Sequence, residues 1–180
     1  MIFVSVGSQA PFDRLIRAVD RWARLRGRED VFAQIAHGSY IPTHMKFTDF
    51  VDPSEFKRLA QEAQLIVAHA GMGSIISALE LGKPIVVMPR RACFSETRND
   101  HQVAAAKHFG EQGRIIVALD ELEIPEKLDG ALDVRENDRI DTKASPKLLA
   151  TIRTFLEENS GNVQQFRPTE LKKVLSDQAP

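Results

Sequence analysis

The sequence predicts an α/β fold, a Rossmann-like and mostly parallel sheet with helices on both faces. Three observations predict it. Short β-rich runs alternate with amphipathic helical patterns, the order that builds βαβ units. Small-residue loops stand where an apolar run gives way to a helix, at Gly7 and again at 69–74. The length, 180 residues, suits one domain, or one domain and a tail, with a sizeable core. Right-handed crossovers then place helices on both faces. Ligands of such sheets bind outside the carboxyl ends of the strands.

The elements follow in order. Ile2–Val6 is a continuous buried strand bounded by Gly7. A helix runs over 11–25, with Pro11 in its first turn and Phe12, Leu15, Ile16, Val19, Trp22 and Ala23 at helical spacing. Val31–Ala36 is a second strand and Met45–Val51 a third, alternating at Met45, Phe47 and, less cleanly, Asp49. Asp52, Pro53 and Glu55 form a capping-box layout that opens a helix to about residue 63. "QLIVAHA" is the fourth strand. The helix after it stops at Gly82, a good left-handed stop. Ile85–Met88 is the fifth strand. The charged loop "RRACFSETRND" leads into a helix over 100–110, and Arg114–Leu119 is the sixth strand.

After about Leu119 the chain turns acidic and polar, and reads as loop with a short helical turn or two. Ser145 then caps a helix opened by Pro146, with Leu148, Leu149, Ile152, Phe155 and Leu156 as its stripe. The last residues hold one more short helix. The chain thus divides at 1–120 and 121–180, and the second part either packs on the first or docks a partner.

Composition removes several function classes. The net charge of −1 argues against general nucleic-acid binding, which wants a basic footprint. The one cysteine, Cys93, excludes a disulfide framework and a cysteine zinc site, and fits a reducing cytosol. No run is long enough for a membrane span, and the apolar N-terminus lacks a signal peptide's basic start. The expectation is a cytoplasmic chain that meets membranes only through a partner or a surface patch. No resident metal or cofactor is expected.

The chemistry gathers in two loops. In "HAGMGSIISALELGKP", Gly71 and Gly73 allow close approach of a ligand to the start of a helix. Unpaired N–H groups and the dipole gather there, and Ser74 adds a hydroxyl. A diphosphate is the natural guest of such an end. The alternative is a tight strand-to-helix turn that needs glycine for geometry alone. His69 is either a packed residue that fixes the turn or a ligand contact. The loop is no P-loop: its "GKP" follows the helix. Gly7 alone does not make a dinucleotide fingerprint, so an oxidoreductase is not expected. In "NDHQ", Asn99 to Gln102, acceptors and amides suit sugar hydroxyls, or merely cap a helix. Arg90, Arg91 and Arg98 flank this cluster, either to neutralise a diphosphate or as a solvated face.

"VSVGSQAPFDRLI", "VFAQIAHGSYIP", "AHAGMGSIISALELGKPIVVMPR" and "NDHQ" together, in that order and spacing, resemble the glycosyltransferase family 28 C-terminal domain over roughly Met1 to Leu119. The likeness is greatest to its stand-alone form, the catalytic subunit of the two-subunit UDP-GlcNAc transferase and the subunits of bacterial exopolysaccharide glycosyltransferases. The resemblance implies the donor-binding C-terminal half of a GT-B enzyme. Gly7 and Ser8 would line the cleft. Gly71, Gly73 and Ser74, with His69 beside them, would face the donor diphosphate. Gln102, with Asp100 or His101, would meet the donor sugar, and Arg90 matches an arginine that often ends the strand. One position departs: Ser77 stands where relatives commonly carry an acid for the ribose, and Glu80 lies one turn on.

The function this implies is an inverting hexosyl transfer from a UDP-sugar to a lipid-linked saccharide, in polysaccharide or glycolipid synthesis. It would be carried out in a heteromer, with a membrane-anchored subunit that binds the acceptor. His69 and Asp100 are the base candidates in this chain, and the partner is the other source. A UDP-GlcNAc 2-epimerase-like enzyme and a non-catalytic nucleotide-sugar-binding subunit are the alternatives. The sequence leaves open which UDP-sugar is used and whether the chain alone forms a homodimer.

Overall fold

A computed structural model describes residues 1–133, all within one unit of the chain, Met1–Ile140. The helix expected from Ser145 and the short helix expected after it lie outside the described residues. The described elements are β1 (Ile2–Ser5), α1 (Asp13–Arg26), β2 (Val31–Gln34), β3 (Lys46–Thr48), α2 (Pro53–Glu62), β4 (Leu65–His69), α3 (Met72–Leu81), β5 (Ile85–Met88), α4 (His101–Glu111), β6 (Ile116–Val117) and α5 (Ile124–Leu132). A single 3₁₀ turn, Ala92–Phe94, interrupts the loop before α4.

The six strands form one sheet in the order β3-β2-β1-β4-β5-β6, every pair parallel. Both faces are covered, as a parallel sheet requires. Ile2, Val4, Leu65, Val67, Val86 and Met88 point to one face, where they meet Leu15, Ile16, Val19 and Trp22 of α1 and Ile124 and Leu128 of α5. Phe3, Ile66, Ala68, Ile85 and Val87 point to the other, against α2, α3 and α4. The strand order reverses direction between β1 and β4, and there the loops that follow them open a crevice.

Local signals act where the sequence places them, with a few shifts. Gly82 takes a left-handed φ of 68°, and the Gly82 and Lys83 N–H groups donate back to Leu79 and Ala78. Asp52 accepts from the N–H groups of Ser54 and Glu55. The capping box is only half made, because Glu55 pairs with Arg58 instead of reaching back. Pro11 stands before α1 and not in it: Phe12 is non-helical at φ −143°, and the Pro11 carbonyl is taken by Arg90. The edge strands β3 and β6 are shorter than the apolar runs suggest, at three and two residues, since each is paired on one side only.

The acidic stretch after Leu119 holds a nine-residue helix where the sequence reads as mostly loop. Ile124, Leu128 and Ala131 are buried at helical spacing, and Asp129 accepts the Trp22 indole N–H at 2.8 Å. A carboxylate that looks like surface charge in sequence thus fastens α5 to α1.

A buried acid fastens the β2–β3 connection. Asp20, in the middle of α1 and 2% exposed, accepts from the Tyr40 hydroxyl at 2.7 Å, the His44 N–H at 2.7 Å and the Thr43 N–H. Burial pushes this carboxyl up, but the hydrogen bonds outweigh it and hold the group below the usual carboxylate range. Asp20→Ala strands these donors and should cost about 3 kcal/mol in urea unfolding. Because the folded-state pKa is the lower one, the wild type's advantage over Asp20→Asn is full above the ordinary carboxylate range. It should shrink as pH falls below about 4, as unfolding of the two proteins across pH would record.

Candidate functional site

The crevice between β1 and β4 is the mouth of a cleft of about 1440 Å³. Its floor is made by the loops after β1 and β4. Its walls include the N-terminal end of α3, the start of α4, and Phe50, Val51, Pro53, Phe56 and Lys57. Of the residues the sequence singles out, Gly7, Ser8, His69, Gly71, Gly73, Ser74, Arg90, His101 and Gln102 all line it. Asp100 does not.

His69 ends β4 and sets the floor. Its ring stands between two glycines from different loops. A Cβ on Gly71 would lie 2.2 Å from Nε2, and one on Gly7 would lie 2.8 Å from Cε1. Gly7 is also left-handed, at φ 81°. The ring is wedged tightly, and its Nδ1 is buried with no hydrogen-bond partner among the described residues. Burial, with the positive charge of Arg90, pushes the imidazole down to about 4, against a small opposing contribution from the Ser5 backbone. The ring is therefore neutral at physiological pH.

The β1–α1 loop is held from two sides. Gly7 N–H donates to Ser5 Oγ at 3.2 Å, and the Gln34 amide donates to the Gly7 carbonyl at 3.4 Å. From β5, Arg90 donates to the carbonyls of Val6 (2.8 Å), Ala10 (2.6 Å) and Pro11 (2.6 Å), with its guanidinium 4.8 Å from the centre of the Phe12 ring. The sequence suggests Arg90 as a direct ligand contact. The structure spends much of its hydrogen-bonding fork on backbone instead. Arg91 is likewise engaged, with the Leu119 carbonyl. Of the three arginines, Arg98 alone lines the cleft with no hydrogen bond or ion pair among the described residues.

The start of α3 is open. Gly71 is its N-cap and no side chain caps it. The first N–H groups of an uncapped helix are unpaired and point outward, at the positive end of its dipole. A Cβ on Gly73 would meet nothing within 4 Å, so the protein's own packing does not require glycine there. Gly73, Ser77 and Glu80 line the cleft along one face of α3, spanning about 10 Å.

The start of α4 supplies an amide. Gln102 is 7% exposed, and its Oε1 accepts the Arg90 N–H at 3.1 Å. A peptide N–H can only donate, so the bond fixes the side chain with its oxygen on Arg90 and leaves the NH₂ group as a donor for the cleft. Asn99 accepts from the His101 N–H and touches its ring. Asp100 is turned away, accepting the Ala92 N–H at 2.8 Å. The base role expected for it finds no support, because its carboxylate holds the 3₁₀ turn and is not among the cleft residues.

The sequence did not single out the wall where Phe50, Val51 and Phe56 give the cleft an apolar surface beside Lys57. Phe50 is 58% exposed although large and apolar. In sequence, Phe47 and Phe50 read only as part of the third strand. The signal was present: an aromatic just past a strand's carboxyl end sits at the functional edge of this fold.

Comparison with known proteins shows the family and the fold. Residues 1–155 match the glycosyltransferase family 28 C-terminal domain. The human UDP-N-acetylglucosamine transferase subunit ALG13 is 31% identical over 124 residues, which cover 63% of this chain and 10% of that protein. The matched region is therefore about a tenth of the human relative's length. A solution structure of ALG13 superposes with a TM-score of 0.55 at 18% identity, covering 83% of this chain and 93% of that one. The Methanocaldococcus jannaschii UDP-GlcNAc 2-epimerase, solved with UDP-GlcNAc and UDP, superposes with a TM-score of 0.57 at 11% identity, over 85% of this chain and 45% of that one. At these identities the two structures speak for the fold alone.

The glycines of the α3 loop separate by experiment. Gly71→Ala collides with the His69 ring and should destabilise by about 2 kcal/mol or more. Gly73→Ala meets open space in a helix and should be neutral or stabilising by up to about 1 kcal/mol. Thermal unfolding of the two variants beside wild type checks this contrast.

Proposed function

The chain belongs to the glycosyltransferase family 28 C-terminal domain, and from that premise we propose that it holds the UDP-sugar donor of a hexosyltransferase. The observation that carries the reading is the uncapped start of α3, open toward the cleft beside the Gln102 amide. The diphosphate docks on the N–H groups of Met72, Gly73 and Ser74, with the Ser74 hydroxyl as a further donor. Gly73 is glycine so that the backbone can be approached. The base lies toward the apolar wall of Phe50 and Phe56, which leaves the ribose along the α3 face at Ser77 and Glu80. The sugar then reaches the start of α4, where the Gln102 NH₂ and His101 meet its hydroxyls.

The chemistry assigned to this chain is donor binding and stabilisation of the departing UDP. Negative charge grows on the diphosphate as the glycosidic carbon leaves it. An oriented helix end stabilises that charge without reorganising. No phosphoryl group moves, so a P-loop lysine has no task here. The attacking hydroxyl needs a base within hydrogen-bond reach. His69 is neutral and tightly packed, and Asp100 faces away, so the base comes from the acceptor side. That fits an inverting transfer in which a membrane-anchored partner brings a lipid-linked saccharide. Among the described residues no helix is long and apolar enough to cross a membrane. The human relative is a UDP-N-acetylglucosamine transferase subunit, which makes UDP-GlcNAc the first donor to try.

Calorimetry with UDP and UDP-GlcNAc tests the reading. Saturable binding of both is expected. Gly73→Asp, which sets a carboxylate against the diphosphate, should weaken both by about a hundredfold or more. Gln102→Ala should weaken UDP-GlcNAc by about tenfold while leaving UDP nearly unchanged. Absence of saturable UDP binding by the wild-type chain, alone and with its partner, would overturn the proposal.

A further inference from the structure

The cleft holds one buried cation, and the charge nearest to it is already shared. Arg90 is 5% exposed and lies among the cleft residues, yet it forms no ion pair with a carboxylate among the described residues. The nearby acid is Glu96, and its oxygens are already taken by the Arg14 guanidinium and the Arg91 N–H. Three backbone carbonyls satisfy much of the Arg90 fork but carry no net charge. Hydrogen bonds to neutral carbonyls and the Phe12 ring offset part of a buried cation's desolvation cost, and a close opposite charge would offset more. The other basic residues of the cleft, Lys57 and Arg98, are exposed and screened by water.

Arg90 also acts on its surroundings. Its guanidinium closes the β1–α1 loop from Val6 to Pro11, which carries Gly7 and Ser8 to the cleft floor. Its charge reaches the His69 ring, which it helps to keep neutral. The field of this buried cation is therefore felt at the floor where the two glycine loops meet, and there it is weakly screened.

We propose that Arg90 is a positioning residue that prepares the floor for an anion without grasping it: its guanidinium fixes the β1–α1 loop, and its unpaired charge receives the donor diphosphate as counter-ion. The inference rests on the donor-site reading above and deepens it. It separates the two cationic duties of the cleft: a fixed buried charge beneath the loops, and exposed side chains at the rim.

Two variants of the full chain separate charge from fork. Arg90→Lys keeps the charge and loses the planar fork, and Arg90→Met loses both. UDP binding by calorimetry should fall about tenfold or more in Arg90→Met and less in Arg90→Lys. The His69 ring, followed by NMR against pH, should titrate at a higher pH in Arg90→Met than in wild type and shift little in Arg90→Lys. A role confined to packing would not move that titration. Wild type alone carries the test should both variants fail to fold: saturating UDP should raise the pH at which His69 titrates, because the anion offsets the Arg90 charge. Folded Arg90→Met that binds UDP as tightly as wild type, or a wild-type His69 titration unmoved by bound UDP, overturns this inference and leaves the donor site standing. A wild-type chain that does not bind UDP overturns both.

Discussion

The imidazole of His69 stands between Gly7 and Gly71, and neither neighbour has room for a Cβ. That contact sets the geometry of the cleft floor. The two glycines come from the loops after β1 and β4, the strands between which the sheet order turns back. A ring of fixed size between them sets their separation and lets both backbones approach whatever lies above. It also sets a chemical condition. So tightly enclosed a ring cannot easily be charged, and the Arg90 cation beside it reinforces that. His69 therefore belongs to the frame of the site. The groups that face a ligand are arranged around it: the open end of α3, the Gln102 amide and the apolar wall at Phe50.

Much of this was legible in the sequence, and the exceptions share a cause. β1, β2, β4 and β5 are continuous apolar runs, and a parallel sheet buried on both faces needs nothing else. Gly82 and Asp52 mark helix ends by local chemistry, so they too can be read locally. What could not be read depends on a partner far away in sequence. Asp129 looks like surface charge until Trp22 meets it, and that contact accompanies a helix where composition suggests loop. Arg90 looks like a ligand contact until its fork closes on Val6, Ala10 and Pro11. Asp100 looks like part of a polar cluster until Ala92 claims it. Side chains with several donors or several acceptors are the hardest to assign from one dimension, because the fold decides which of their bonds are already spent.

The chain as a whole is nearly neutral, at −1, but its cleft is not uniform. A buried guanidinium lies beneath the floor, and the positive end of α3 stands beside it. The rim holds Lys57 and Arg98, and the far end of the α3 face holds Glu80. This gradient suits a ligand with an anionic middle and hydroxyl-rich flanks, which describes a nucleoside diphosphate sugar. It also explains how membership of a glycosyltransferase family is compatible with the absence of a well-placed base among the described residues. Donor activation needs oriented N–H groups and a positive field, and this chain has both. On the proposed reading, deprotonation of the acceptor needs a group aimed at the acceptor, which a donor-binding chain need not supply.

The central claim is that the open end of α3 is where the donor diphosphate sits. Amide NMR of the labelled chain during a UDP titration tests it most directly, because it reports the place of binding as well as its strength. The account predicts saturable shifts at the N–H groups of Met72, Gly73 and Ser74, with smaller ones at Gly7 and Ser8. Shifts that cluster elsewhere, with those five amides unmoved at saturation, would contradict it.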